Sequence, residues 1–159
     1  MDTFSNPLEG EEKMRGHQLF ALLVFTIGST GVACAQGGII KMPQEMQFEA
    51  PFRPGGPSGA LVYGDPAKPG LYVVRVKFTP GLKNMPHWHQ DERTVVVLSG
   101  TYYFAYGEQW DESRLTAYPP GTFLSEPPKA PHYNWAKDGE VILQITGYGP
   151  TSAVSIPQK

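Results

Sequence analysis

Between Leu71 and Phe78 the chain alternates. Val74, Val76 and Phe78 fall on one face and Arg75 and Lys77 on the other, the pattern of a half-buried β-strand. The continuous run Thr94–Leu98 predicts a second strand, Ser99-Gly100 its turn, and Thr101–Tyr106 the returning partner. On that partner Tyr102, Phe104 and Tyr106 share a face. Thr122–Ser125, His132–Trp135 and Val141–Thr146 read as three more strands, with Asp138-Gly139 as the hairpin turn between the last two. Ala60–Tyr63 is a short strand and Glu45–Glu49 a candidate edge strand. Asp111–Leu115 is the one predicted helical turn. Short strands separated by Gly and Pro turns predict an all-β sandwich or barrel, and 18 glycines with 16 prolines agree with it.

The N-terminus follows a different pattern. Arg15, the apolar run Leu19–Ile27 and Ala33-Cys34-Ala35 have the order of a secretory signal peptide, with cleavage expected before Gln36. The apolar run is shorter than the roughly 20 residues a membrane span needs. Asp2, Glu9, Glu11 and Glu12 precede it, which suggests translation from Met14. The expected organisation is a signal peptide at 14–35, with 1–13 outside the translated chain. An N-terminal arm at 36–60, one barrel domain at 61–150 and a tail at 151–159 follow. The mature protein would be periplasmic or secreted, with no membrane contact after processing. The sole cysteine, Cys34, would leave with the leader, so any metal must be held by nitrogen and oxygen. A net charge of -2 gives no basic footprint for nucleic acid.

Three of the four histidines lie in two stretches. His87 and His89 stand two apart on a predicted strand, so their imidazoles share a face while Trp88 points the other way. The stretch Gly81–Gly100 resembles motif 1 of the cupin superfamily through Gly81, His87, His89 and Gly100. Gly121–Ala136 resembles motif 2 through Gly121, Pro127 and His132, with Lys129 and Ala136 at that motif's glycine and asparagine positions. The resemblance runs from about Leu71 to Tyr148. It implies a double-stranded β-helix of the jelly-roll group, a divalent metal (Fe, Mn, Zn, Ni or Cu) on His87, His89 and His132, a small-molecule ligand or substrate, and a homodimer. The aromatic strand Tyr102–Tyr106 and the N-terminal arm are the candidate dimer surface.

The motif's glutamate, the usual fourth ligand, is displaced. Arg93 stands in its place and Glu92 one residue earlier. Two arrangements follow. A bulge at Gln90-Asp91-Glu92 would shift the phase, bring Glu92 to the metal and turn Arg93 outward. A regular register would leave only histidine ligands and aim Arg93 inward, toward an anionic group of the substrate. The first is the favoured expectation. Tyr102 is a further candidate for contact with substrate. The functional expectation is a small-molecule metalloenzyme of dioxygenase, isomerase or lyase type, dioxygenase-like above all if no carboxylate ligates. The alternatives are a non-catalytic ligand- or metal-binding sensor and a purely structural barrel.

Overall fold

The computed structural model describes residues 38–49 and 55–159, which belong to one compact unit running from 37 to 159. The segment expected as a signal peptide, 14–35, lies outside the described residues. Ten strands appear in chain order. They are β1 Ser58–Tyr63, β2 Gly70–Phe78, β3 Lys83–His89, β4 Arg93–Ser99, β5 Tyr102–Tyr106, β6 Thr116–Tyr118, β7 Phe123–Glu126, β8 His132–Trp135, β9 Val141–Gly149 and β10 Ala153–Ser155. All ladders are antiparallel. They form two five-stranded sheets, β1-β2-β9-β4-β7 and β10-β3-β8-β5-β6.

The alternation read from the sequence sets the inner faces. Val74, Val76 and Phe78 of β2, Val95 and Val97 of β4 and Val141, Leu143 and Ile145 of β9 are buried from the first sheet. Tyr102 and Phe104 of β5 meet them from the second. Burying apolar side chains of this size stabilises by about 1.5–3 kcal/mol each, which makes this layer the main source of the fold's stability. Gly100 closes the β4–β5 turn at φ 76°, and a Cβ there would sit 2.1 Å from the Glu140 carbonyl oxygen. The glycine that ends the first motif is thus required by backbone conformation and by close approach.

The structure departs from the sequence expectations in four places. Pro43–Glu45 is a 3-10 turn, and no strand forms over Glu45–Glu49. The cause is local: Pro43 stands at the start of the turn, and the Glu45 carboxylate accepts the Met42 N–H at 2.6 Å. Thr116–Tyr118 forms a short edge strand on β5. Residues 153–155, expected as tail, add β10 to the edge of β3. Finally, Tyr102 and Phe104 point into the barrel, so they cannot form a dimer surface; Tyr106 alone of that row is exposed. The helical turn expected at Asp111–Leu115 is present as a 3-10 turn at Glu112–Arg114, capped by the Asp111 carboxylate.

Candidate metal centre

The centre depends on an irregularity in β3. Asn84 pairs with Asn134 of β8, and His87 pairs with His132. Three steps along β3 therefore match two along β8, which is a β-bulge, and it contains Met85 and Pro86. Proline suits the position because it has no N–H to lose from a ladder. The bulge lets both Asn84 and His87 face inward although they stand three residues apart. Regular alternation then carries His89 to the same face.

His87, His89 and His132 are buried, and one ring nitrogen of each lies within 4.8 Å of the others. Their ring centroids are 4.4, 5.0 and 5.4 Å apart. Each Nδ1 faces a backbone carbonyl: His87 to Met85 at 2.7 Å, His89 to Ser152 at 2.9 Å and His132 to Ala130 at 2.9 Å. A carbonyl only accepts, so each Nδ1 must carry the proton and each Nε2 presents a lone pair. The Ser152 carbonyl that holds His89 lies just before β10, so the C-terminal segment is part of the site.

Charge follows from burial. Burial pushes the His87 ring down to about 4, with the neighbouring His132 adding to the effect. Burial and the Arg93 charge push His89 down to about 3. His132 is lowered by burial against the opposing pull of Glu126. All three rings are neutral at pH 7, the state a metal requires. The Nε2 atoms of His89 and His132 are buried without any hydrogen-bond partner. His132 Nε2 also lies 3.5 Å from the Glu126 carboxylate oxygen Oε1, two electron-rich atoms facing each other. A cation placed among the three Nε2 atoms removes both problems, so the donor set fits a metal ion, and three imidazoles leave coordination positions for water or substrate.

The structure places Glu92 exposed in the β3–β4 turn, outside the cluster. This corrects the favoured expectation of a Glu92 ligand. No register shift separates Arg93 from Val97: Arg93 pairs with Glu126 on one side and Gly147 on the other, and the ladder continues in phase through Val95. The extra residue is spent in β3, before the histidines, so β4 keeps the phase that aims Arg93, Val95 and Val97 inward. Arg93 is therefore inward, but its partner is internal. Nε donates to Glu126 Oε2 at 2.9 Å, and Nη2 donates to the same oxygen. Burial acts to raise the Glu126 carboxyl; the Arg93 charge and hydrogen bonds overcome it and hold the group below the usual carboxylate range, hence ionised. The pair is neutral in sum, so Arg93 is not a free anion receptor.

Glu126 is the site residue that the sequence reading missed. It precedes Pro127 and occupies no motif ligand position. The available signal was alternation: Leu124 and Glu126 share the core-facing side of β7, opposite the core-facing Val95 and Arg93. Tyr102 lies in the wall of a cavity of about 360 Å³ that also contains His87, His89, Arg93 and Glu126. Val76, Phe78, Leu143 and Ile145 form its apolar side.

Below the turn, Asp91 is fixed by two hydroxyls. Tyr72 donates to Oδ2 at 2.7 Å and Thr151 to Oδ1 at 2.6 Å. Gly147 makes room for this: a Cβ there would lie 2.6 Å from the Tyr72 hydroxyl oxygen. The network ties the β3–β4 turn to the segment that leads into β10.

No protein-family model matches the chain, and no curated protein matches it significantly. Solved structures do match. The chain is similar to the polyketide cyclase RemF from Streptomyces resistomycificus at TM-score 0.61 and 16% identity, covering 76% of this chain and 88% of that one. It is similar to an RmlC-like cupin from Shewanella frigidimarina at TM-score 0.55 and 16% identity, covering 70% and 91%. KdgF from Halomonas sp. is similar at TM-score 0.54 and 20% identity, covering 71% and 96%. With the two antiparallel sheets and the inward histidine row, these likenesses establish that the chain has the double-stranded β-helix fold of the cupin superfamily.

Proposed function

We propose that this protein is a metalloenzyme acting by proton transfer on a small oxygenated organic molecule, of lyase, isomerase or cyclase type. One observation carries the reading. A buried, ionised carboxylate, Glu126, is held by Arg93 through one oxygen only, while its other oxygen faces the convergence point of three neutral imidazoles. His87, His89 and His132 would hold one divalent ion, which would supply Lewis-acid stabilisation of negative charge developing on a substrate oxygen. Imidazole donors suit Fe, Zn, Ni and Cu, with Mn also admitted.

The chain's own residues do the rest. Arg93 fixes the orientation of Glu126 and keeps it charged. Glu126 Oε1 accepts a proton from the carbon next to a substrate carbonyl: the C–H bond breaks, its electron pair stays on the substrate as an enolate, and an O–H bond forms on Glu126. The walls formed by Val76, Phe78, Leu143 and Ile145 exclude water from that step. Glu126 as base favours this chemistry over oxygenation.

The test is hydrogen exchange in D2O under anaerobic conditions, with zinc- or manganese-loaded protein and a panel of small keto and hydroxy acids. The reading predicts deuterium at the carbon next to the carbonyl, lost in Glu126→Gln with metal retained. Absence of exchange across the panel, together with oxygen consumption by the iron-loaded protein, would replace it with the dioxygenase reading.

Export is part of the proposal and is supported by the leader pattern of residues 14–36 alone. N-terminal sequencing of the secreted chain is expected to give Gln36 first; a mature chain starting at Met1 or Met14 rejects it. A homodimer is likewise proposed, and sedimentation at micromolar concentration decides it.

A further inference from the structure

The cavity has a second polar layer that the metal centre does not use. Asn134 stands two residues from His132 on β8 and faces the same side, about 6.6 Å further along the strand. It is 2% exposed and lines the cavity, yet its amide oxygen Oδ1 has no hydrogen-bond partner. A buried carbonyl oxygen left unpaired has lost its water without a replacement, a cost that a fold built for packing alone would avoid with an apolar residue. Tyr102 lies diagonally across the β5–β8 ladder, where Phe104 is the residue directly opposite Asn134. Burial, with the Glu126 charge adding, holds the Tyr102 hydroxyl well above the usual phenol range, so it is a neutral donor. Among the described residues that line the cavity, the one cation is Arg93, and Glu126 occupies it. Asn84, directly across the β3–β8 ladder from Asn134, also lines the cavity, but its amide is engaged with His87 Nε2 at 3.4 Å, so the layer offers the Asn134 acceptor and the Tyr102 donor with no net charge.

We propose that Asn134, with Tyr102 beside it, is a binding station for the far, uncharged end of the substrate, and that this end carries a hydrogen-bond donor such as a hydroxyl. This inference rests on the metal reading for the near end. It narrows the substrate class to short molecules with an oxygen-donor group at one end, an apolar middle against Phe78 and Leu143, and a neutral hydroxyl at the other. Molecules with a phosphate at the far end are excluded, because nothing in this layer neutralises them.

The test uses zinc-loaded protein and three probes: 4-hydroxybenzoate, benzoate and 4-methoxybenzoate. Zinc stoichiometry, measured first on the same samples, decides the metal reading separately. Calorimetric titration is expected to show 4-hydroxybenzoate binding about tenfold more tightly than the other two, the effect of one hydrogen bond to an otherwise unpaired buried group. The comparison with 4-methoxybenzoate needs no altered protein, since that probe keeps the oxygen and lacks the hydrogen. In Asn134→Leu the preference for 4-hydroxybenzoate over the other two probes should vanish. Equal affinities in the wild type, no binding of any probe by zinc-loaded protein, or a preference that survives Asn134→Leu each overturns the station while leaving the metal centre standing.

Discussion

The two sheets face the same cavity but hold their polar groups in different ways. The β10-β3-β8-β5-β6 sheet contributes three imidazoles, each anchored by a backbone carbonyl, so its groups are neutral and their Nε2 ends are all acceptors, that of His87 facing the Asn84 amide at 3.4 Å. The β1-β2-β9-β4-β7 sheet contributes Arg93 and Glu126, which are charged and anchor each other across the β4–β7 ladder. Backbone anchoring fixes a side chain without consuming a partner, so the histidine sheet can serve as a receptor. Mutual anchoring fixes a side chain by consuming one, so the charged sheet supplies orientation and a single spare oxygen.

Breaking the charged pair should give the largest effect. Arg93→Leu leaves Glu126 ionised, buried and unpaired, and is expected to destabilise by about 3–5 kcal/mol, whereas the double variant Arg93→Leu/Glu126→Leu should recover most of that loss. Chemical denaturation of the three proteins checks both values. If the single variant costs less than the double, the pair is not mutually anchored.

The histidine sheet responds to pH instead. In metal-free protein the folded rings of His87 and His89 titrate at about 4 and about 3, against 6.5 in an unfolded chain. Below pH 6.5 the unfolded chain takes up protons that the folded chain refuses, so stability falls as pH drops and levels off only below about 3. Each pKa unit is about 1.4 kcal/mol, so the loss amounts to about 3–5 kcal/mol for each of the two rings. Glu126, held below its usual range, acts in the same direction at the acid end. Saturating zinc should move the acid midpoint downward, since metal stabilises the folded state alone. A flat profile between pH 7 and 4 would mean that the rings are not buried neutral.

Gly147→Ala tests the support beneath the charged sheet. The new Cβ would displace the Tyr72 hydroxyl from Asp91, with an expected loss of about 1–3 kcal/mol, the cost of leaving a buried polar group unpaired. Tyr72→Phe in the same background should add little further.

What was legible in the sequence divides along the same line. Alternation along β2 and β4 reports burial directly, so the core face followed from Val74, Val76, Val95 and Val97, and the same alternation carries Arg93 inward, against the favoured expectation that a bulge turns it outward. The histidine row was legible because ligand chemistry restricts residue type and spacing. The bulge lies in β3 and not at Gln90-Asp91-Glu92, because a bulge is fixed by pairing with another strand and not by the residues of a turn. The count that reveals it, Asn84 to His87 against Asn134 to His132, exists only once β3 and β8 are aligned. Glu126, β10 and the carbonyl that orients His89 depend on long-range pairing in the same way.

The smallest expected effect belongs to Glu92. As an exposed turn residue outside the cluster it should tolerate Glu92→Gln within about 0.5 kcal/mol of stability and with unchanged metal affinity. A tenfold weakening of metal binding would return Glu92 to the site and reverse the assignment of the bulge.

X-ray absorption on zinc-loaded protein reads the three-imidazole site itself. One zinc per chain is expected, with imidazole scattering from three nitrogen donors at about 2.0–2.1 Å. His87→Ala/His89→Ala should take up no zinc while keeping the wild-type β-sheet spectrum. A spectrum without imidazole scattering, or a double variant that binds zinc as tightly as the wild type, would contradict the three-imidazole site.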